Sequence, residues 1–335
     1  MTNTSSTKLD KAAFEIRKGG LPVRTLSESD VERCLPLPRL LDALEEGFEA
    51  LERGEVQAPP RPEIVIPGRG FSLAMPAWQP GSKIAVKVVN VFDGNLRAGW
   101  PSHLSLITLY EADTGVACCV MDGTYITAVR TAASAALSVR MLARPDARVA
   151  TVIGAGVQAR EHLRLLPLVR QFDHINVCSL HDDEARRLAA SHPLARAPGD
   201  ARAAVAESDV VCLATHSAEP VIDPDWLRPG THVSSVGYHP PAGELPVRLP
   251  REHRLFVETL DALLPPPVGC AELSTIDRAR ATTLGAVALG KAPGRCNDED
   301  ITVYKAMGIA MEDLVAANLA LRCAVEQGVG DFMRW

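Results

Sequence analysis

Aromatic residues are scarce: Phe, Trp and Tyr together make up 4% of the 335 residues. A core so poor in rings must be filled by aliphatic side chains, and the many alanines point to helices packed through small residues. Long apolar runs are missing as well. No stretch of about 18 uncharged apolar residues occurs, so no membrane-spanning helix is expected. The polar opening "MTNTSSTKLDKAAFEIRKGG" lacks the apolar centre of a secretory leader, which makes a cytoplasmic location the expectation. There is no long basic run and the net charge is −6, leaving no electrostatic footprint for nucleic acid. The eight cysteines form no CxxC pair and mostly lie in apolar runs, as small hydrophobes do in a reducing compartment, and no metal centre is expected.

What is present reads as an ordinary globular chain, 47% hydrophobic and 23% charged, long enough for two domains. "PLPRLLDALEEGFEALERG" spaces Leu40, Leu41, Leu44, Phe48 and Leu51 as one face of a helix that ends at Gly54. Short β-branched runs then follow in "EIVIPGRGFSLAMPAW", "KIAVKVVNVFDG" and "SLITLYEADTGVACCVMDG", broken by Pro, Gly and Asp, so residues 20 to about 125 predict an α+β unit with a meandering sheet. "TYITAVRTAASAALSVRMLA" predicts a helix. Beyond it, strands at 148–153, 174–179, 209–214, 231–236 and 254–259 alternate with helices at 155–170, 182–190 and 200–207, the pattern of a doubly wound parallel sheet. A long helix from about Lys305 to Gln327 is expected to close the chain.

"VATVIGAGVQAREHL", residues 149–163, places Gly154, Gly156 and Ala159 as G-x-G-x-x-A between a strand and a helix. Such a turn lets the backbone approach a pyrophosphate while the helix N-terminus aims free N–H groups at it. With a second strand some twenty residues on, the context is that of dinucleotide binding. The tip of that second strand, "HINVCSLHDD", offers Ser179, Leu180 and His181, with neither an acid for a ribose 2′-hydroxyl nor an arginine for a 2′-phosphate. The cofactor is therefore NAD or NADP. NADP is favoured because Ser179 and His181 can both hydrogen-bond a phosphate; the alternative is that they simply end a strand.

Three cations stand in apolar company. In "KIAVKVVNV" the period of two puts Lys87 on one face with Ala85, Val89 and Val91, where a charge needs an anion or loses its proton, unless the strand is an edge facing solvent. Arg130 shares a helical face with Ile126, Ala133, Ser134 and Leu137 and would suit a bidentate carboxylate; structural pairing with an acid such as Asp122 is the alternative. Arg61 is held in extended backbone by the prolines of "APPRPE", which would let it project into a cleft.

Taken in order, "MPA" at 75–77, "KVVN" at 87–90, "DGTYITAVRTAA" at 122–133, "VIGAGVQA" at 152–159, "LATHSAEPVI" at 213–222 and "ITVYKAMGIAMEDLVAA" at 301–317 give a chain that resembles the ornithine cyclodeaminase/mu-crystallin family over about residues 20–328. The resemblance implies a Rossmann dinucleotide domain, residues 131–306, inserted into a discontinuous α+β substrate-binding and dimerisation domain, residues 1–130 plus 307–335, in a homodimer. It places Arg61, Lys87 and Arg130 on a substrate carboxylate with Met75 beside them. Thr131, Ala132, Gly154, Ala155, Gly156, Val157, Gln158, Thr215, Val236 and Gly237 fall on the cofactor side. Cyclodeaminases of the family carry an acid two positions before the Met of the "MP" step, where this chain has Leu73. They carry an Asp soon after a strand-ending "VG", where "SSVGYHPPAGELP" offers Tyr238 or His239.

Cyclodeamination needs several positioned proton transfers, whereas reduction of a preformed imine needs a held carboxylate, a hydride and one proton. The retained residues therefore point to an NAD(P)H-dependent reductase of small α-imino acids, such as 1-pyrroline-2-carboxylate or 1-piperideine-2-carboxylate, or to the reverse amino-acid dehydrogenase. Lys87 and His239 are the candidate catalytic residues, His239 as proton donor unless it is only a solvated loop residue. Ornithine or lysine cyclodeaminase, an opine-type dehydrogenase and a non-catalytic NADPH or small-ligand binder are the competing readings. Trp78, Phe92, Trp100 and Tyr238 are candidates for the side-chain pocket, the two tryptophans equally for packing or dimer contacts.

Overall fold

The computed structural model describes residues 20–334. Residues 1–19, the polar tail counted with the first unit, lie outside the described residues.

The first unit opens with β1 (Pro22–Leu26), α1 (Glu28–Cys34) and α2 (Leu37–Glu52), whose Leu40, Leu41, Leu44 and Phe48 are buried as their spacing predicts. The meander follows as β2 (Glu63–Ile66), β3 (Gly70–Ala77), β4 (Ile84–Val91), β5 (His103–Tyr110) and β6 (Ala117–Asp122). A continuous helix, α3 (Thr124–Leu142), leads out of it. The second unit comprises β7 (Val149–Ile153), α4 (Val157–Val169), β8 (His174–Cys178), α5 (Asp182–Ala189), β9 (Ala195–Arg196), α6 (Ala201–Glu207), β10 (Val210–Leu213), β11 (His232–Ser235), α7 (Arg248–Glu252), β12 (Arg254–Val257), β13 (Ala281–Thr283), α8 (Leu284–Ala288) and β14 (Thr302–Lys305). The chain then returns to the first unit through α9 (Ala310–Gln327) and β15 (Asp331–Arg334).

Two sheets result. One has seven strands in the order β15-β1-β6-β5-β4-β3-β2 and is mostly antiparallel. The other has eight parallel strands in the order β13-β12-β14-β11-β10-β7-β8-β9. Its strands are buried on both faces: Val152 and Cys212 face one core, Ile153, Val211 and Leu213 the other. The fold is thus a Rossmann-type doubly wound sheet inserted in sequence into an α+β unit. Helix α3 packs on α2, on α4 and on β11, and the expected boundary at 130/131 falls inside it.

The closing segment departs from the expected single helix beginning near Lys305. Thr302–Lys305 is a strand lodged between β11 and β12, because a fully buried β-branched run satisfies its backbone there. The helix starts only at Ala310, after Gly308 takes a left-handed φ of 72°. Nor does it end the chain, since β15 pairs antiparallel with β1. Among the described residues no helix is long and apolar enough to cross a membrane.

Candidate active site

The order of the parallel sheet reverses at β7: β8 and β9 lie on one side, β10 and β11 on the other. Ligands bind such sheets at the carboxyl ends of the strands flanking this switch. Gly154, at the end of β7, has φ 127°, and a Cβ there would stand 2.3 Å from the Ala214 carbonyl oxygen after β10. Only glycine fits. Gly156 instead faces open space, and no side chain caps α4, so the first-turn N–H groups remain available to an anion. Val157 is exposed, Ala155 half-buried, and Ala159 fully buried where the helix meets the sheet. Gln158 donates from Nε2 to the Ala128 carbonyl, 3.2 Å, and leaves Oε1 buried without a partner. The cradle fits a dinucleotide pyrophosphate.

Past β8, the Ser179 hydroxyl accepts from the His181 N–H at 3.3 Å, and Leu180 between them is 94% exposed. Ser179, Asp182, Arg186 and Gly199 line a small cavity at this strand end. Arg186 was invisible to the strand-tip reading because it lies a turn further on, in α5. Thr131 keeps a half-buried side chain whose hydroxyl donates to the Thr127 carbonyl, 2.8 Å, whereas Ala132 is fully buried in the core beneath it.

Thr215 and Gly237, in the loops after β10 and β11, are tied together by a residue that sequence reading missed, while Val236 donates its N–H to the Leu213 carbonyl. Glu244 is fully buried. It accepts from the Thr215 N–H (2.6 Å) and hydroxyl (2.7 Å), the Ser235 hydroxyl (2.8 Å) and the Gly237 N–H (2.7 Å). Lys305, also buried, donates to Ser235 Oγ, to the Gly237 carbonyl and to Glu272 Oε1. The two loops are thereby fixed relative to each other.

On the side expected to take the substrate, cations and carboxylates gather in one cluster. Lys87 is 1% exposed on the inner face of β4, in register with Met75 of β3, and its Nζ lies 2.7 Å from Asp313 Oδ2 of α9. That contact is not aligned as a hydrogen bond, so the ammonium keeps donors unspent. Arg130 is paired with acids within the protein, as the alternative reading has it, though with Glu312 and Asp313 rather than Asp122, which accepts from the Tyr125 N–H. Its Nε meets Asp313 Oδ1 at 3.1 Å and its Nη1 meets Glu312 Oε2 at 2.6 Å. Burial pulls the Lys87 pKa down, against the attraction of Asp313, to about 8. For Arg130 burial acts the same way, but Asp313, Glu312 and Glu258 outweigh it and the guanidinium is held charged.

Gly308 seats both arginines. Its carbonyl accepts from Arg61 Nη1 at 3.1 Å, and a Cβ on it would lie 2.4 Å from Arg130 Nη1. Buried Glu258, just past β12, accepts from the Met307 N–H at 2.8 Å and from the Gly308 N–H at 3.0 Å. Burial, and then the neighbouring Glu312, push the Glu258 pKa well above the usual carboxylate range and favour its neutral form. Three cations and three carboxylates thus meet in one place, and Lys87 Nζ keeps donors unspent for a further anion. Arg61 itself is half-buried, and burial lowers its pKa against the nearby Tyr238, Glu258 and Glu63.

His239 lies at the rim, in the loop after β11, with Nδ1 buried and unpartnered. Of the expected pocket aromatics, Tyr238 adjoins Arg61, whereas Trp100 is 63% exposed. The acids Glu312, Asp313 and Glu258 escaped sequence reading because their partner Arg130 lies some 180 residues away for the first two.

A family model for the ornithine cyclodeaminase/mu-crystallin family matches residues 23–327. Mouse ketimine reductase mu-crystallin is 33% identical over 288 residues, covering 83% of this chain and 89% of that protein. The solved Thermococcus litoralis Δ1-pyrroline-2-carboxylate reductase, in complex with NADH and L-proline, is 33% identical with a TM-score of 0.87, covering 92% of this chain and 99% of that one. An archaeal alanine dehydrogenase dimer with bound NAD is 27% identical with a TM-score of 0.85, covering 94% and 100%. With its glycine cradle at the switch point and its cation cluster beneath α9, the chain belongs to the ornithine cyclodeaminase/mu-crystallin family.

Proposed function

We propose that this protein is an NAD(P)H-dependent reductase of small α-imino acids, cyclic ones such as 1-pyrroline-2-carboxylate or 1-piperideine-2-carboxylate, also running in reverse as an amino-acid dehydrogenase. The observation that carries the reading is the convergence of buried Lys87 and Arg130 with half-buried Arg61 beneath α9, with the Lys87 ammonium keeping donors unspent. The relatives named for ketimine reduction, and the one holding NADH and L-proline, support it.

Residues 154–158 hold the pyrophosphate, with Thr131, Thr215, Val236 and Gly237 along the rest of the nucleotide. Ser179, His181 and Arg186 give the 2′ position a phosphate-binding character and favour NADP. When bound, the nicotinamide supplies the hydride. Arg61, Lys87 and Arg130 orient the carboxylate, Met75 packs against it, and His239 delivers the proton to the imine nitrogen. Residues 131–306 form the nucleotide-binding domain. The described residues up to 130 and from 307 on form the substrate-binding and dimerisation domain of a cytoplasmic homodimer, to which the free state of all eight cysteines is suited.

The test is oxidation of NADH and NADPH against a panel of cyclic imines and of 2-oxo acids mixed with amines. Turnover is expected with carboxylate-bearing imines. Lys87→Ala and Arg130→Ala should each lower kcat/KM on the order of 10²-fold, as loss of a buried charge contact worth several kcal/mol requires. Near-normal kinetics in both variants would overturn the site.

One observation favours a second reading. Glu63 of β2 stands in register opposite Leu73, the position where cyclodeaminases of the family carry an acid, and its charge acts on Arg61 and Tyr238. Ammonia released from ornithine with catalytic NAD and no net NADH would establish that reaction instead.

A further inference from the structure

Three histidines and one carboxylate from four separate segments gather beside the cation cluster, and holding the carboxylate uses none of them. His103 opens β5, His216 follows β10, His239 follows β11, and Asp93 lies in the turn after β4. The His216 and His239 rings meet edge to face with centroids 4.6 Å apart. His216 Nε2 lies 3.6 Å from Asp93 Oδ1. The two outer members reach solvent, with side chains 53% exposed for His216 and 66% for Asp93, while Nδ1 of His239 is buried with no partner. His103, whose Nδ1 is 3.0 Å from the Ser102 hydroxyl, is a further titratable neighbour, and the charges of His216, Asp93, Lys87 and Arg130 all reach it. The row therefore runs from water to a buried ring nitrogen. It ends in the two loops that follow β10 and β11, on the far side of the sheet's switch point from β8, where the reactive end of a dinucleotide reaches.

We infer that Asp93, His216 and His239 form a proton-delivery row that recharges the imine-protonating group from solvent. The inference rests on the imine-reductase reading. As the imine carbon gains the hydride that the nicotinamide supplies, the C=N π pair takes a proton from a ring N–H of imidazolium His239, forming the amine N–H and leaving neutral imidazole. His239 regains a proton from imidazolium His216, directly or across one intervening water. His216 takes its replacement from solvent water, with the Asp93 carboxylate 3.6 Å from its Nε2. One imine, one hydride and one solvent proton are consumed for each amine formed. His216 and Asp93 are positioning and relay residues, not substrate contacts.

The experiment compares wild type, His216→Ala and Asp93→Asn in steady-state reduction of a cyclic imino acid from pH 6 to 9, with and without added imidazole. NADPH binding to each protein is followed separately by nucleotide fluorescence. Both changed side chains are largely exposed, so the folded state should be retained. For His216→Ala we expect kcat to fall on the order of 10-fold or more, most at high pH where solvent protons are scarce. The KM for the imine and the affinity for NADPH should stay within about twofold of wild type, and imidazole should restore kcat. Asp93→Asn should lower kcat in the same direction as His216→Ala, with KM for the imine and NADPH affinity again within about twofold of wild type. A wild type that turns over imines while His216→Ala is unchanged in kcat, or impaired but not rescued by imidazole, overturns the row and leaves the reductase reading standing. A wild type that reduces no imine overturns both.

Discussion

Lys87 stands at the one position of β4 where a charge meets a wall of aliphatic side chains, and its single carboxylate neighbour is shared with Arg130. Burial outweighs that neighbour and brings the ammonium pKa down to about 8. The sign of the consequence follows from the base: below that pH the cation is present and, on the proposed role, attracts the substrate carboxylate, and above it the cation is lost. The kcat/KM profile for an imino acid should accordingly descend above about pH 8, approaching tenfold per pH unit. Lys87→Arg, whose charge does not titrate in this range, should lack that limb even where its absolute rate is lower. A wild-type profile flat to pH 10 would remove Lys87 from substrate binding. The position was legible in the sequence through the period of two, which alone places Lys87 with Ala85, Val89 and Val91. Its partner was not, because pairing with Asp313 is made by the tertiary return of α9 and leaves no local pattern.

At the scale of elements, the nucleotide loops owe their mutual position to Glu244. One carboxylate receives four donors from two loops and a strand end, and none of the donors has another way to be satisfied without rearrangement. Removing the acceptor in Glu244→Ala strands buried N–H groups at a cost of about 1–3 kcal/mol each. The expected outcome is a fall in stability of at least about 3 kcal/mol in a denaturant titration, with weakened NAD(P)H binding. Glu244→Gln, which keeps one acceptor oxygen, should lose less of both. Unchanged nucleotide affinity in Glu244→Ala would show that the clamp does not shape the nucleotide site. The alternation of strands and helices from β7 to β11 was readable from the sequence, as was the glycine turn, because both are local and periodic. The strand Thr302–Lys305 was not, since a four-residue buried run carries no periodicity to separate it from the helix that follows.

For the whole molecule, the seven-stranded sheet has one face under α9 and another that, among the described residues, leaves apolar side chains of β4 and β5 exposed. On the open face Val88 of β4 is 40% exposed and stands opposite Leu106 of β5, 51% exposed, with Leu104 and Ile64 also exposed nearby. The edge strand β2 is exposed along its whole length and reads "EIVI". A monomer would leave both an apolar face and an apolar unpaired edge in water, features that favour association or aggregation. Two copies related by a two-fold axis would cover the face with itself, since an isologous contact sets the same patch against its own image. A solution mass near twice 35.9 kDa is therefore expected from light scattering. Leu106→Glu sets like charges against each other at such an interface and should give the monomer at micromolar concentration. The same change leaves the inner face intact: along β5 alternate side chains point away from each other, and Ile107 keeps its place in the core. NADPH affinity should therefore survive in the monomer. A monomeric wild type, or a Leu106→Glu protein still dimeric at that concentration, would place the association surface elsewhere.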